Sequence, residues 1–593
     1  MVRFMHGSWT YGQHPDVVVV GSGIIGAACA EALTRRGVRV LVLDRGAVAS
    51  ATTASGEGNL LVSDKPPGPE LDLALASLRR WPALLAELRE ELGPRRAACE
   101  YERKGGLVVA IGAAQSAALH AFAAAQRAVG VEAHALAPGE VAAYEPHLTP
   151  RATAVLHYPQ DAQLQPVLAA TALLAAVRAR GGEVRGGVAA LGVLRDRHDR
   201  VRAVRTAHRD VPCGAVVNAC GPWAGSFADA AGAPLPVAPR RGLVLVTAPL
   251  PAGTVRHKVY AADYVGAVGA AEADLRVSTV VEATQAGTVL IGSSRQRVGF
   301  DPAIPVAVLR ALARGATTLF PLLAAVPVLR AYGGFRPYTP DHLPVIGPDP
   351  RRAGLWHATG HEGAGIGLAA ATGDLLAELL TGEPPHLDPA PFRVDRPGLR
   401  GAPEAAGGVP AGGVPAGAAA VAVRPGPGAA GAGVAAMPPE PEAAGAEGPV
   451  ARVAAGGGGG VPLTVDGVAR RARPGDTVAT VLLATGRAAW RTTRGGDRPR
   501  GVFCGIGVCH DCLVVVNGLP DVRACLREVA SGDVVETQRG AVLPGPATGA
   551  SPGTDGVAGR ASGGAADASG VAGSTRTAAV DGDGAHGDGG DRA

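Results

Sequence analysis

A glycine-rich turn between a buried strand and a helix is the feature that most constrains the fold of this chain. Residues 17–20 (VVVV) form a β-branched run of the kind that a buried parallel strand requires. The run leads into Gly21-Ser22-Gly23-Ile24-Ile25-Gly26, a complete G-x-G-x-x-G, and then into an Ala-rich stretch that ends at Gly37. A second apolar run, VRVLVL, ends at Asp44, 18 residues beyond Gly26.

Each element of this unit has a physical task in binding a dinucleotide. Gly21, Gly23 and Gly26 provide a tight turn, close approach of the backbone to a pyrophosphate, and close packing of helix on strand. The amino end of the helix faces the phosphates, and Asp44 can accept hydrogen bonds from ribose hydroxyls. The unit predicts a dinucleotide site, with a glycine-rich turn in some other α/β unit as the alternative. By itself it does not distinguish NAD from FAD.

Glycine and proline, 86 and 48 residues, are spread unevenly along the chain. Residues 397–460 are almost entirely Ala, Gly, Pro and Val, and 542–593 are rich in Gly, Ala, Ser and Asp. Such segments bury too little side chain to offset the entropy of ordering them. We therefore expect a disordered Ala/Gly/Pro linker at 397–460 and a disordered tail at 542–593.

Charge and hydropathy exclude several classes of function. A formal net charge of +4 over 593 residues is too small to indicate a nucleic-acid partner. The uncharged run 405–423 is long enough to span a bilayer but is interrupted by Gly and Pro, and the amino terminus has no signal-peptide pattern. We expect no transmembrane span and a cytoplasmic protein, with peripheral attachment at the inner face of the membrane as an open alternative.

Several separated stretches, in order over about 15–390, resemble the FAD-dependent D-amino-acid oxidase superfamily. The resemblance is to its glycine oxidase, sarcosine oxidase, D-amino-acid dehydrogenase and hydrogen cyanide synthase or hydroxyproline dehydrogenase branches. Besides the glycine-rich turn, the matching stretches are ASATTASGEGNLLV (49–62), KGGLVVA (104–110), YPQDAQLQP (158–166), VVNACGPWAG (216–225), PRRGLVLV (239–246), VVEATQAGTVLIGSSRQRVGFD (280–301), GGFRPYTPDHLPVIGP (333–348) and ATGHEGAGIGLAAATGDLLAELLTG (358–382).

The resemblance implies an α/β and α+β architecture over residues 15–396. A Rossmann-like FAD-binding domain would be interleaved with an antiparallel-sheet substrate domain. The expected FAD parts are about 15–95, 150–225 and 340–390, and the expected substrate parts are about 96–149 and 226–339. The flavin is expected to be non-covalent, because the chain has no cysteine between Cys220 and Cys504 to serve as the tether of some sarcosine oxidases.

The resemblance also implies which residues form the site. Arg336 of the RP motif would hold the substrate carboxylate with a two-pronged pair, a geometry that suits guanidinium, although a structural salt bridge is the alternative. Tyr338 and His361 would line the pocket. The glycine-rich turn before the helix at 368–380 would stabilise negative charge on reduced flavin. The cofactor-binding residues would be Gly21, Gly23, Gly26, Asp44, Arg45, Thr53, Ser55, Gly58, Asn59, Gly360, Gly363, Gly365, Ile366 and Gly367.

Four cysteines near the carboxyl end are spaced C-x4-C-x2-C-x12-C: Cys504, Cys509, Cys512 and Cys525. The first gaps are those of plant-type [2Fe–2S] ferredoxins, whereas zinc sites usually pair two close C-x-x-C units. Zinc and redox-active thiols are the alternatives. The segment also resembles the small [2Fe–2S] subunit of hydrogen cyanide synthase, opine oxidase and hydroxyproline dehydrogenase complexes. We expect a β-grasp-like [2Fe–2S] domain at 461–541.

Together these features predict an FAD-dependent dehydrogenase that oxidises a small amino or imino acid by hydride transfer to flavin. Electrons would then pass through the [2Fe–2S] cluster to an acceptor other than oxygen. D-amino acids and proline- or hydroxyproline-like substrates are favoured by resemblance alone. A glycine or sarcosine oxidase type, or a cyanide-forming glycine dehydrogenase, is one alternative, and an electron-transfer subunit without its own substrate is another. A second flavoprotein subunit is the expected partner.

Overall fold

The computed structural model describes residues 14–263, 275–400, 460–492, 499–507, 509 and 511–538. The predicted tail lies outside these residues, and so does the predicted linker except for Pro397–Arg400 and Gly460. Residues Pro397–Arg400 form a 3-10 turn, and Leu399 of this turn is buried in the core. Among the described helices, none is both long and apolar enough to cross a bilayer.

The described helices are α1 (Ile24–Arg35), α2 (Pro69–Leu92), α3 (Ala113–Arg127), α4 (Val141–Tyr144), α5 (Pro166–Ala179), α6 (Ala224–Ala230), α7 (Val306–Leu319), α8 (Gly365–Thr381) and α9 (Val478–Ala484). The strands of the amino-terminal region are β1 (Val17–Val20), β2 (Val40–Leu43), β3 (Asn59–Leu60), β4 (Gly106–Ala110), β5 (His134–Ala135), β6 (Ala154–Tyr158), β7 (Ala162–Gln163), β8 (Glu183–Arg185), β9 (Ala190–Arg195), β10 (Val201–Thr206), β11 (Val211–Pro212) and β12 (Ala215–Asn218). They are followed by β13 (Ala238–Pro249), β14 (Lys258–Ala261), β15 (Arg276–Ala283), β16 (Thr288–Arg295), β17 (Val328–Tyr338), β18 (Val345–Pro348) and β19 (Leu355–Thr359). The carboxyl-terminal strands are β20 (Val461–Val465), β21 (Val468–Ala472), β22 (Arg491–Thr492), β23 (Pro499–Arg500), β24 (Leu513–Val516), β25 (Leu519–Arg523) and β26 (Asp533–Glu536).

The first sheet has the order β18-β19-β12-β1-β2-β8 and is parallel apart from β18. All four residues of β1 are buried, Val17 and Val19 in one core cluster and Val18 and Val20 in another. This is why the strand is an unbroken valine run: a parallel strand covered on both faces has no polar side. Helices α1, α5 and α8 cover one face of this sheet, so the Rossmann-like prediction is confirmed.

The second sheet has eight strands in the order β17-β13-β16-β15-β14-β4-β6-β5. Its pairs are antiparallel except for β4 with β14. Helix α7 buries Val308, Leu312, Ala316 and Leu319 against this sheet, one stripe at helical spacing. The prediction placed residues from about 150 in the FAD part. Strand β6 instead pairs with β4 in this second sheet, so the boundary lies later in the chain.

The carboxyl-terminal residues form a five-stranded sheet, β21-β20-β26-β24-β25, with β20 and β26 parallel. Helix α9 packs on it through Val478, Ala479, Val481 and Leu482. Trp490 is 1% exposed and lies in the same core, together with Cys512 and Cys525. A mixed sheet crossed by one helix is the β-grasp-like arrangement predicted for this region.

Candidate active site and cluster site

The glycine-rich turn connects β1 to α1 with no room for side chains at two of its positions. Gly21 has φ +110°, and a Cβ there would lie 2.3 Å from the carbonyl oxygen of Ala219, the residue after the neighbouring strand β12. A Cβ at Gly26 would lie 2.0 Å from the carbonyl oxygen of Gly21. Because both obstacles are backbone atoms, only glycine fits, and the amino end of α1 stays open to a phosphate.

Thr53 joins the following small-residue segment to this turn. Its Oγ1 accepts a hydrogen bond from the backbone N–H of Ile24 at 3.0 Å, at the first residue of α1. A Cβ at Gly23 would lie 3.1 Å from the same oxygen. The structure therefore brings Thr53, Gly23 and the amino end of α1 together.

Asp44 directly follows β2 and stabilises the glycine-rich turn through hydrogen bonds. One of its carboxylate oxygens accepts hydrogen bonds from the backbone N–H and the hydroxyl of Ser22, at 2.8 and 2.7 Å. The other oxygen accepts from the N–H of Gly46 at 2.8 Å. The guanidinium of the next residue, Arg45, lies 4.0 Å over the ring of Trp223. Asp44 thus has a local structural task in addition to the ribose contact predicted for it.

The segment that contains Ser55, Gly58 and Asn59 crosses from the first sheet to the second. The Ser55 hydroxyl donates to the carbonyl of Gly333 on β17 at 3.3 Å. Gly58 has φ +101°, and a Cβ there would lie 2.0 Å from the carbonyl oxygen of Leu164. Asn59 Nδ2 donates to Glu57 Oε2 at 3.1 Å. This segment therefore lines the space between the glycine-rich turn and β17.

The second glycine-rich turn, residues 360–367, leads into α8 beside this segment. Gly360 has φ +80°, and α8 begins at Gly365. A Cβ at Gly367 would lie 3.1 Å from the carbonyl oxygen of Asn59, so the first turn of α8 packs directly on β3. Ile366 is buried, and its Cδ1 lies 2.6 Å from where a Cβ at Gly56 would be. The amino end of α8 therefore meets the segment 52–60.

His361 lies in this turn but is not placed as a pocket residue. Its side chain is 3% exposed, and Nε2 lies 3.0 Å from the hydroxyl of Thr372 inside α8. Burial lowers the pKa of His361 to about 3, so the ring is neutral at physiological pH. These contacts indicate a ring that braces the start of α8.

Arg336 and Tyr338 lie on the same face of β17, two residues apart. The guanidinium of Arg336 donates to the carbonyl of Ser294 at 2.8 Å, and its Nε lies 3.4 Å from where a Cβ at Gly363 would be. A Cβ at Gly242, on the adjacent strand β13, would lie 2.1 Å from Arg336 Nη1. Arg336 is therefore seated over Gly242 and beside the turn that precedes α8.

Two further charged residues complete this face, and the sequence prediction missed both. Arg240 is opposite Arg336 in the β13–β17 register, is 1% exposed, and donates to the carboxylate of Glu362. Burial alone would raise the pKa of Glu362. The hydrogen bond from His342 and the charge of Arg240 outweigh burial and lower that pKa. Tyr338 lies beside Arg240, with the guanidinium 5.6 Å from the ring centroid. Only the cross-strand register puts these groups in one place.

The residues present fit FAD. The two glycine-rich turns place the amino ends of α1 and α8 on either side of segment 52–60. Within the part of the chain that the structure describes, the acceptor Asn59 Oδ1 of this segment is buried without a hydrogen-bond partner, so it can accept from a hydroxyl of a bound group. Two helix amino ends that meet one segment match the needs of an extended anionic cofactor.

The four cysteines of the carboxyl-terminal module form two pairs. The backbone N–H of Cys504 donates to the sulfur of Cys509, and that of Cys509 to the sulfur of Cys504, both at 3.3 Å. A hydrogen bond between the thiols of Cys512 and Cys525 lowers the pKa of Cys512 and raises the pKa of Cys525. Nowhere among the described residues do three or more His, Cys, Asp or Glu side chains converge on a single ion site. Two thiolates for each of two irons suit a [2Fe–2S] cluster better than one zinc ion.

Two glycines shape the loop that carries these ligands, which we call the cluster loop (residues 503–512). Gly505 and Gly507 have φ +72° and +80°. A Cβ at Gly507 would lie 2.2 Å from Leu526 Cδ1, and its carbonyl accepts from Arg523 at 2.7 Å. Val508 and His510 of this loop lie outside the described residues. The left-handed positions let the loop curl around a cluster, as the spacing predicted.

Comparison with known proteins agrees with this geometry. Residues 16–379 match the family model described as FAD dependent oxidoreductase, and residues 460–540 match the 2Fe-2S iron-sulfur cluster binding domain. Hydrogen cyanide synthase subunit HcnC of Pseudomonas aeruginosa is 30% identical, over 64% of this chain and 96% of its own length. Glycine oxidase of Geobacillus kaustophilus is 29% identical, over 64% of this chain and 97% of its own.

Solved structures give the same fold. The crystal structure of glycine oxidase from Geobacillus kaustophilus superposes with a TM-score of 0.59 at 27% identity, covering 65% of this chain and 99% of that one. L-proline dehydrogenase from P. horikoshii superposes with a TM-score of 0.57 at 23% identity, over 64% of this chain and 97% of that one. The predictions of fold class, FAD and a [2Fe–2S] cluster are confirmed. The chain belongs to the family of FAD dependent oxidoreductases and carries a 2Fe-2S iron–sulfur domain after its flavin-binding region.

Proposed function

We propose that this protein is a dehydrogenase that oxidises a small amino or imino acid and delivers the electrons to an acceptor other than oxygen. D-amino acids and proline- or hydroxyproline-like imino acids are the favoured substrates. The oxidised product is an imine, which hydrolyses to a 2-oxo acid or persists as a cyclic imine.

One observation carries the proposal. Strand β17 holds Arg336 beside the turn at 360–367, and six residues earlier on the same strand Arg330 contacts the cluster loop. A carboxylate-binding cation and a one-electron carrier therefore lie along one rigid element. That arrangement supports substrate oxidation coupled to electron export within a single chain.

The chain's own residues orient the substrate. Arg336 binds the carboxylate, because a guanidinium donates two parallel hydrogen bonds and an ammonium does not. Tyr338, 6% exposed on the same face, walls the pocket, and the amino end of α8 favours negative charge next to it. Bound FAD would supply the acceptor for the hydrogen and electron pair of the substrate, so no protein nucleophile is needed.

Glycine is the second candidate substrate, because one relative of this chain is a glycine oxidase. A small substrate fits the same carboxylate clamp. As an electron acceptor we propose a second flavoprotein subunit or another redox protein.

Anaerobic mixing of the holoenzyme with a panel of amino acids tests the proposal. The panel contains D-amino acids, both isomers of proline, hydroxyproline, glycine and sarcosine, and the readout is bleaching of the flavin absorbance. We expect at least one member to bleach the flavin, and reoxidation to be much faster with an artificial one-electron dye than with oxygen. If no member bleaches the flavin, the chain is an electron-transfer subunit and the dehydrogenase proposal is wrong.

A further inference from the structure

The cluster loop lies against the outer strands of the second sheet, in the same chain. The guanidinium carbon of Arg330, on β17, lies over two aromatic rings, 4.3 Å from the ring centroid of Phe503 in the loop and 4.9 Å from that of Tyr332. A guanidinium over an aromatic ring is stabilised by a cation–π contact. Arg330 therefore ties the loop to the strand.

An apolar contact continues this interface next to the ligands. Ile506 of the loop packs against a hydrophobic patch formed by Val244, Val246 and Leu290. A Cβ at Gly505 would lie 3.1 Å from Val246 Cγ1, so the glycine allows the loop backbone to approach the sheet closely. Tyr332 packs against the same hydrophobic patch.

The interface is also charged in a way that suits a cluster. Arg330 stacks on Phe503, the residue before the ligand Cys504, and although burial lowers its pKa, the charges of Cys504, Cys509 and Asp511 favour its charged form. A [2Fe–2S] cluster with four thiolates is anionic and becomes more negative on reduction. A cation held beside two of its ligands therefore stabilises the reduced form more than the oxidised form.

The opposite end of the same short stretch of β17 contacts the flavin-lining segment. The hydroxyl of Ser55 donates to the carbonyl of Gly333, and a Cβ at Gly334 would lie 2.5 Å from Ser55 Cβ. From Arg330 to Gly334 is four residues, or about 13 Å at the rise of roughly 3.3 Å per residue in a strand. The stretch 330–334 thus connects the cluster loop to the residues that border the flavin.

We propose that the contact between the cluster loop and strands β13 and β17 is the electron-transfer interface of the chain, with the loop docked on the sheet of its own chain. In this interface Arg330 is a positioning residue that holds the loop on β17 and favours the reduced cluster. This inference rests on the proposed function. Substrate oxidation leaves two electrons and one proton on the flavin, and the second proton leaves the substrate nitrogen. One electron at a time then crosses stretch 330–334 to the oxidised cluster. Each goes on to a one-electron acceptor, such as a redox protein, and the flavin's proton is released to water.

The test compares Arg330→Gln and Arg330→Lys with Arg310→Gln in the full holoenzyme. Arg310 is exposed on α7, so its variant makes the same charge change away from the interface. The flavin is reduced by light with a sacrificial donor, which makes the readout independent of any substrate. The cluster potential is measured by spectroelectrochemical titration, and the rate of cluster reduction is followed by its absorbance and electron paramagnetic resonance signals.

We expect Arg330→Gln to shift the electron equilibrium between flavin and cluster about tenfold toward the flavin, which is about 59 mV for one electron. Cluster reduction should slow by at least tenfold. Arg330→Lys should keep the electron equilibrium between flavin and cluster within a factor of about two of the wild-type value. Arg310→Gln should change neither the cluster potential nor the rate of cluster reduction. An unchanged potential and rate in Arg330→Gln would overturn the proposal.

A variant on the other side of the interface covers the case in which Arg330→Gln loses its cluster. Ile506→Asp should slow reduction of the cluster by the flavin at least tenfold at full iron content. Leu519→Asp, at a position 60% exposed on the same module, should not. Equal rates in these two variants would refute docking in cis. Failure of the amino-acid panel to bleach the flavin would refute the proposed substrate class and leave these photoreduction results standing.

Discussion

Gly242 is the position where the smallest substitution should most directly disturb substrate binding. In the structure, a Cβ at Gly242 would lie 2.1, 2.5 and 2.6 Å from Nη1, Cζ and Nη2 of Arg336. An ordinary van der Waals contact between heavy atoms is about 3.5 Å. In Gly242→Ala, the guanidinium must therefore retreat by about 1 Å, and the tip of a flexible side chain can do so without unfolding the sheet.

The magnitude follows from what the displacement costs. A charge-assisted hydrogen bond contributes about 1.5–3 kcal/mol, and each 1.4 kcal/mol is a factor of about ten. Misplacement of a positioning group by about 1 Å can cost about 100-fold in rate. We therefore expect kcat/KM for the best substrate in the panel to fall about 10- to 100-fold, mostly through KM, with FAD still fully bound.

The assay is anaerobic stopped-flow reduction of the flavin over a range of substrate concentrations, with flavin content and thermal midpoint measured in parallel. Gly333→Ala is the matched control on the neighbouring strand. Its added methyl group meets Leu243 Cδ2 at 2.8 Å instead of Arg336. The control should keep kcat/KM within about threefold. If Gly242→Ala binds FAD and keeps wild-type kcat/KM, Arg336 does not hold the substrate carboxylate.

Three further predictions concern the cofactors and the core. Gly21→Ala adds a Cβ 2.3 Å from the backbone carbonyl of Ala219, so the purified variant should contain at least tenfold less FAD by absorbance. Full flavin content in this variant would contradict the phosphate-binding role of the turn. Cys525→Ser should lose iron and acid-labile sulfide while keeping FAD. The control Cys213→Ser, at a buried cysteine of the flavin region, should keep the iron, the sulfide and the FAD. Iron retained in Cys525→Ser would show that this cysteine is not a ligand. Burial raises the pKa of Asp161 to about 6, so the native state binds more protons than the unfolded state between about pH 4 and 6. The contribution of Asp161 to the free energy of unfolding therefore falls by about 3 kcal/mol as pH rises through that window. Urea unfolding at pH 4.5 and 6.5 should show about 2 kcal/mol of this loss in the wild type and none of it in Asp161→Asn. Equal pH dependence in the two proteins would assign the loss to other groups.

Local sequence predicted the parts of the site that depend on neighbouring residues. The turn at Gly21–Gly26 and the turn before α8 could be located because glycines between a strand and a helix have few other uses. The ligand spacing of Cys504, Cys509 and Cys512 identified the cluster loop, because three thiolates on one curled loop need that spacing. The family resemblance added Arg336 and its expected task.

Register and packing could not be obtained in that way. Arg240 belongs to the same face as Arg336 because β13 and β17 pair with these residues opposite each other, 96 positions apart. A shift of one residue in that pairing would turn every side chain of the strand to the other face. The same holds for Gly242, whose lack of a side chain makes room for the Arg336 guanidinium.

The family, the fold class and both cofactors could be predicted from the amino-acid sequence, because these depend on short motifs with local geometry. The contact of His361 with α8, the position of Arg240 and Glu362 on the same face as Arg336, and the contact of Arg330 with the cluster loop became visible only in the tertiary structure. These contacts join residues far apart in the chain. Strand register brings these residues together, and burial and charge pairing stabilise the contacts. None of these is encoded by a single segment of the sequence.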